Sequence, residues 1–366
     1  MRDERAWLAL NAAELPPRTA LQLLDHFGSP NGVMSAGLSG IHAVCRLTAA
    51  EVARLAEARE RDFSKDIETL RRLNARLVTI EDDEYPANLR QIYDLPPMLF
   101  VQGKFLPVDE RAIAIVGTRR ATPYGRLVTG TLARDLAARG VTVVSGMAVG
   151  ADAAAHRGAL SAGGRTIAVL ACGIDVPYPR DTLELREQAV SRGAVISEFP
   201  LGTPARAGRF HIRNRLISGL ALGVVVTEAP EQSGALITAN LAANQGRQVF
   251  AVPGSVNSEF SRGTHALLRD GARLVESVED ILDEVALPDL PVPAEAEPDR
   301  EQQVADAGLT TDERNLLRAL SLQQRHMDDI IEHSQLPSSR ASAGLLMLEL
   351  KGLVRRLPGN MYMRVR

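Results

Sequence analysis

The residues best suited to chemistry in this chain are glycines, hydroxyls and arginines that recur in five short turns. These are Gly117-Thr118-Arg119-Arg120, SGMAVGAD from Ser145 to Asp152, ACGIDVPYP from Ala171 to Pro179, SEFPLGTP from Ser197 to Pro204, and TEAPEQSGALITAN from Thr227 to Asn240. Gly146, Gly150, Gly173 and Gly234 permit close backbone approach, while Thr118, Ser145, Ser233 and Thr238 offer hydroxyls to phosphate oxygens. Tight packing of helix on sheet accounts for some of these glycines without any ligand. The fourth turn runs into RAGRFHIRNRLISG, which sets Arg209, Arg213 and Arg215 within seven residues, with Phe210 among them. Guanidinium groups take phosphates and an aromatic ring takes an unpaired base, so this cluster has the composition that holds a single nucleic-acid strand. The ring reads either as a stacking platform or as a core residue at a helix start.

These turns need a scaffold that aims them at one place. Ala112 to Val116 is a short apolar run that predicts a buried strand; Gly117-Thr118 turns sharply, and Pro123 sits where a helix begins. The same alternation repeats, with strands expected at Val141–Ser145, Thr166–Ala171, Ala194–Glu198, Gly223–Glu228, Gln248–Pro253 and Ala272–Val275, and helical segments between them. Near-continuous apolar strands alternating with helices predict a Rossmann-like, doubly wound, mostly parallel sheet of the α/β class. Ligands of such sheets bind at the carboxyl ends of the strands, which is where all five turns fall.

Composition narrows the ligand. The chain has 366 residues, a net charge of -3 and a pI near 6.2, yet residues 111–215 hold fifteen Arg, no Lys and seven acidic residues, a local +8. An anionic partner for that segment follows. No G-x-G-x-x-G follows the first strand of the core and no acid closes the second, which argues against a dinucleotide. The three lysines, Lys65, Lys104 and Lys351, lie outside any P-loop context. His156, His211 and His265 lack the spacing of a metal site or a catalytic triad, and Cys45 and Cys172 stand far apart. Neither a metal nor another cofactor is expected. No apolar run is long enough to span a bilayer, so the expectation is a soluble protein of a reducing, cytoplasmic compartment.

Four regions are expected. Residues 1–75 read as a helical domain; its segment Leu15–Val33 is similar to a SAM or helix-hairpin-helix module, with Pro16-Pro17 in place of the hairpin glycines. Residues 76–286 form the Rossmann-like domain, entered through a strand pair. Residues 287–308, rich in Pro, Ala and acids, read as a linker. Residues 309–366 follow a winged-helix pattern of three helices and a hairpin. The third helix offers only Arg340 before Lys351 and an LLMLEL face, which suits protein contact better than groove reading.

Taken in order, AIVGTRRATPYG, VSGMAVGADAAAHRGAL, TIAVLACGIDVPYP, VISEFPLGTPARAGRFHIRNRLISGLA, VVVTEAPEQSGALITANLAANQGRQVFAVPG and GTHALLRDGA resemble the DNA-processing protein A family (DprA, also called Smf) over about residues 80–286. The resemblance implies a dimeric, non-catalytic protein that binds single-stranded DNA and loads RecA recombinase onto it during natural transformation. Single-strand-binding protein is a further candidate partner. It makes Gly117, Thr118 and Arg119 a backbone clamp and puts Phe210, Arg213, Asn214 and Arg215 in a strand-binding pocket. Arg120, Ser145, Gly146, Arg209, Ser233, Gly234, Thr238 and Arg247 complete the expected contact set. The stretch from His265 through Leu268 to Leu274 is implied as a dimer face near the RecA-contacting surface. Two departures from the family pattern are His211, where a proline is usual, and Gln232, where a basic residue is frequent; Arg209 or Arg247 is the candidate replacement for the second. The alternative reading is a nucleotide-processing phosphoribohydrolase on a related fold, with Glu198 or Glu228 as base, although Ala235-Leu236-Ile237-Thr238 lacks the glutamate such enzymes place there.

Overall fold

The computed structural model describes residues 4–285, 287, 309–320, 325–334, 336–351, 353–357 and 359–364. Six helices open the chain: α1 (Glu4–Ala12), α2 (Pro17–Phe27), α3 (Pro30–Ser35), α4 (Leu38–Val44), α5 (Ala49–Glu60) and α6 (Ser64–Arg72). Local signals set their ends. Thr48 and Glu51 form a reciprocal capping box at the start of α5, with Thr48 N–H donating to Glu51 Oε2 at 2.7 Å. Pro16-Pro17 opens α2 and does not form the turn to α3, as the helical-hairpin likeness had suggested. That turn is Gly28-Ser29, with Gly28 in the left-handed region at φ 74°.

β1 (Ala75–Thr79) and β2 (Met98–Gly103) pair antiparallel and lead into the main sheet. There follow β3 (Ala112–Val116), α7 (Pro123–Ala138), β4 (Thr142–Ser145), α8 (Ala151–Ser161), β5 (Thr166–Val169), α9 (Leu183–Arg192), β6 (Ala194–Ser197), α10 (Ala207–Leu220), β7 (Gly223–Val226), α11 (Gly234–Asn244), β8 (Gln248–Ala251), α12 (Arg262–Arg269), β9 (Arg273–Leu274) and α13 (Glu279–Leu282). The nine strands run in the order β1-β2-β6-β5-β4-β3-β7-β8-β9, parallel from β6 to β9. Strands β3 to β7 are buried along their whole length, as a sheet covered on both faces demands.

Trp7, Leu23, Ile41 and Leu55 of the first helices share one hydrophobic cluster with Phe100, Leu170, Cys172 and Val195 of the sheet region. Residues 1–296 accordingly form one compact unit and residues 297–366 a second. Of the stretch read as a linker, 287–308, all but residue 287 lies outside the described residues.

The second unit contains helices Thr311–Ala319, Met327–Ser334 and Ser338–Leu350 and the hairpin Val354–Leu357 and Met361–Arg364. A two-residue strand, Arg325–His326, pairs with Tyr362 and Met361, which completes the three-stranded sheet of a winged helix. Leu316, Ile330, Leu345, Leu348, Val354 and Tyr362 are its core. Among the described residues, no helix is long and apolar enough to cross a membrane.

Candidate nucleic-acid interface

β6, β5, β4, β3 and β7 are neighbours in that order, so their five following turns emerge along one rim. Backbone hydrogen bonds stitch the rim together. Thr118 N–H donates to Glu228 O at 2.8 Å, Thr227 N–H to Val116 O at 3.1 Å, and Ala151 N–H to Thr118 O at 3.2 Å. Gly150 has φ +85°, and a Cβ there would lie 2.5 Å from the carbonyl oxygens of Thr118 and Arg119. Only glycine fits both the conformation and the space. The buried Glu228 carboxylate accepts from Thr122 N–H at 2.8 Å and from Thr122 Oγ1 at 2.6 Å. Thr122 Oγ1 in turn accepts from Gly125 N–H at the start of α7. The turn Gly117–Thr122 is thus held at both ends, with Arg119 and Arg120 exposed on its outside.

Phe210 lies in the first turn of α10, half-buried and outside every core cluster. Its ring faces the rim turn: the Arg119 guanidinium carbon sits 4.3 Å from the ring centroid, within cation–π range. The Tyr178 ring packs against Phe210 at 6.1 Å between centroids and 61° between planes. The structure thus places Gly117, Thr118, Arg119, Arg120 and Phe210 in one patch, with Ser233 and Gly234 on the neighbouring turn. Ser233 Oγ accepts from Ala235 N–H at the start of α11, and a Cβ at Gly234 would meet open space. Tyr178 was not singled out from sequence. The available signal was an aromatic in the glycine-bearing turn ACGIDVPYP.

Several expected contacts face inward instead. From Arg213 to Leu220 every residue of α10 is buried, because the helix turns this face to the sheet. Arg213 donates from Nη1 to Gly146 O at 2.7 Å and to Val169 O, and from Nε to Asn214 Oδ1 at 3.2 Å. Burial pulls its pKa down to about 10, against the opposing effect of Asp152. Asp152 is buried too; burial raises its pKa while the Arg213 charge holds it down. A Cβ at Gly146 would lie 2.5 Å from the Arg213 guanidinium, so this glycine makes room for protein, not for ligand.

Arg215 forms ion pairs with Glu198 and, at 3.1 Å, with Asp94. Burial raises the Glu198 carboxyl pKa and the Arg215 charge opposes it. Asn214 Nδ2 donates to Gly234 O at 3.4 Å, tying α10 to α11. Ser145 Oγ donates to Ile115 O at 2.7 Å, and Thr238 is buried with its hydroxyl toward Gly234 O. Arg213, Asn214, Arg215, Ser145, Gly146 and Thr238 therefore brace the rim from beneath.

Arg209 donates to Pro204 O at 2.9 Å and approaches Glu14 at 3.7 Å. Arg247 is corrected outright: it precedes β8, at the amino ends of the strands, where it donates to Gln91 Oε1 and Asn88 O. It does not reach the rim. His211 and Gln232 are exposed. His265, Leu268 and Leu274 gather at the β9 end of the sheet, with His265 Nε2 3.1 Å from Gly254 O and Leu274 48% exposed on the last strand.

Residues 76–286 match the family model of DNA recombination-mediator protein A, and residues 293–360 match that of the DprA winged helix domain. Protein Smf of Escherichia coli is 38% identical over 299 residues, 80% of this chain and 78% of that protein. DNA processing protein DprA of Bacillus subtilis is 41% identical over 209 residues, 57% of this chain and 70% of that protein. The X-ray structure of DprA from Streptococcus pneumoniae superposes with TM-score 0.68 at 33% identity, covering 79% of this chain and all of that one. DprA from Helicobacter pylori, in a structure described as giving its single-stranded DNA binding mode, superposes with TM-score 0.52 at 31% identity, covering 58% of this chain and 98% of that one.

Proposed function

The chain belongs to the DNA recombination-mediator protein A family, and on that premise we propose that it binds single-stranded DNA along the carboxyl rim of its sheet. In this reading it delivers the strand to RecA recombinase as a non-catalytic mediator in the cytoplasm. The observation that carries the reading is the Phe210 ring, half-open beside the rim, with the Arg119 guanidinium on it. An unpaired base stacks on this aromatic patch, widened by Tyr178, while Arg119 and Arg120 meet the flanking phosphates. Stacking accepts any base, so binding is indifferent to sequence and demands an unpaired strand. The exposed Gly234 at the amino end of α11, on the positive side of the helix dipole, offers a further anion contact. Arg213, Asp152, Arg215 and Glu198 keep the rim in shape.

Two features weigh against the phosphoribohydrolase alternative. Both oxygens of Glu228 are bonded to Thr122, and Glu198 is buried and ion-paired with Arg215. The exposed Leu274 at the end of the sheet, with Leu268 and His265, is the proposed contact between two copies of the chain. RecA docking is assigned to the same end.

The direct test is Phe210→Ala with a labelled oligo-dT. Loss of about 1 to 3 kcal/mol in binding, with Phe210→Tyr close to wild type, is the expected result. Undiminished affinity in Phe210→Ala removes the platform from the account.

A further inference from the structure

We infer that Tyr93 and Arg18 form a second base-stacking platform, set apart from the rim beside the first helices, an inference that rests on the single-strand reading above. Tyr93 is 73% exposed, more than any other Phe, Tyr or Trp among the described residues. It lies in the connection between β1 and β2, and the Arg18 guanidinium carbon of α2 stands 3.8 Å from its ring centroid. Arg18 is itself exposed and meets no carboxylate among the described residues. The pairing repeats that of Arg119 on Phe210, a guanidinium held against an aromatic ring, but here the ring is far more exposed. No buried packing accounts for either half of the Tyr93 pair.

The two platforms are linked through α10. Arg215 stands five residues after Phe210, about 7.5 Å along the helix axis, and its Nε reaches Asp94, the neighbour of Tyr93, at 3.1 Å. Arg209, one residue before Phe210, approaches Glu14, four residues before Arg18, at 3.7 Å. Exposed His211 and Ile212 lie on the same helix between Phe210 and Arg215. Two carboxylates beside this route are ion-paired, Asp94 with Arg215, which Glu198 shares, and Glu14 with Arg209 at 3.7 Å. The ligand class is a second unpaired nucleobase, a few nucleotides along the strand from the one on Phe210. On this view the first helices take part in binding and do more than pack.

The experiment compares affinity of the full chain for oligo-dT of about six and about fifteen nucleotides, a range that brackets one and two contact sites. Tyr93→Ala and Arg18→Ala are expected to weaken the long oligonucleotide by about 5- to 150-fold, leave the short one within about twofold, and leave Tyr93→Phe near wild type. Phe210→Ala is expected to weaken both lengths. If Phe210→Ala weakens both and Tyr93→Ala weakens neither, the second platform is overturned while the rim reading stands. Equal loss at both lengths in Tyr93→Ala also overturns a separate platform. Failure of the unaltered protein to bind either length overturns both readings.

Discussion

Arg119→Ala is the sharpest perturbation available at the rim. Arg119 is exposed on a turn held by backbone bonds and by Glu228, and its described partner is the Phe210 ring at 4.3 Å. No carboxylate forms an ion pair with it among the described residues, although its charge helps hold down the pKa of the buried Asp152. Truncation therefore removes one free cation and one exposed cation–π contact, worth about 0.5 to 1 kcal/mol, while the turn keeps its conformation. Folding stability is expected to fall by no more than about 1 kcal/mol, the value of that exposed contact.

Binding should respond in a diagnostic way. Each phosphate neutralised on a single strand contributes about -0.7 to the slope of log K against log salt, so losing one contact flattens the slope by about 0.7. The affinity itself is expected to fall about tenfold at low salt, since hydrogen bonds to charged groups are worth about 1.5 to 3 kcal/mol and part of that is recovered by water. The assay is fluorescence anisotropy of labelled oligo-dT across a salt series, with Arg119→Lys in parallel. Lysine keeps the charge and loses the planar stack, so it should restore the slope with only part of the affinity. An unchanged slope in Arg119→Ala would refute the assignment of this arginine to a phosphate.

Two further outcomes follow from the buried charges. Arg215→Ala leaves Glu198 buried without its partner and is expected to cost about 3 to 5 kcal/mol of stability in chemical denaturation, well beyond any effect of Arg119→Ala. His156 is buried with Nδ1 2.7 Å from Thr166 Oγ1, and burial, followed by the Arg213 and Arg157 charges, lowers its pKa from 6.5 to about 3. Between those values the unfolded chain binds a proton that the folded chain refuses. His156 therefore makes stability fall as pH drops from about 6.5 toward 3, by at most about 1.4 kcal/mol per pH unit. Denaturation of wild type and His156→Gln across that window should differ by this one-proton slope, and parallel profiles would contradict it.

The strands β3 to β7 were legible because each is a short run dominated by Val, Ile and Ala and buried throughout, and the rim turns were legible because each follows such a run. Phe210 and Arg119 were legible as types, though not as neighbours; their contact depends on β3 lying beside β7 and on α10 crossing near that junction. Counting charge records Arg213 and Arg215 but not the helix face they occupy. The inward run from Arg213 to Leu220 takes both into the protein, where carbonyl oxygens and Glu198 receive them. Arg247 follows α11 and precedes β8, an order that already sets it at the amino ends of the strands. The strand Arg325–His326 is two residues long and left no periodicity to read. Tyr93 gave no signal at all, because its significance comes from an arginine 75 residues earlier in the chain.

The central claim is that the rim takes an unpaired strand. Its most direct measurement is the affinity of the full chain for oligo-dT against a duplex of the same length, across a salt series. The account predicts tighter binding of the single strand at every salt concentration, weakening as salt rises because counterion release is undone. Equal affinity for strand and duplex, or none for either, would contradict it.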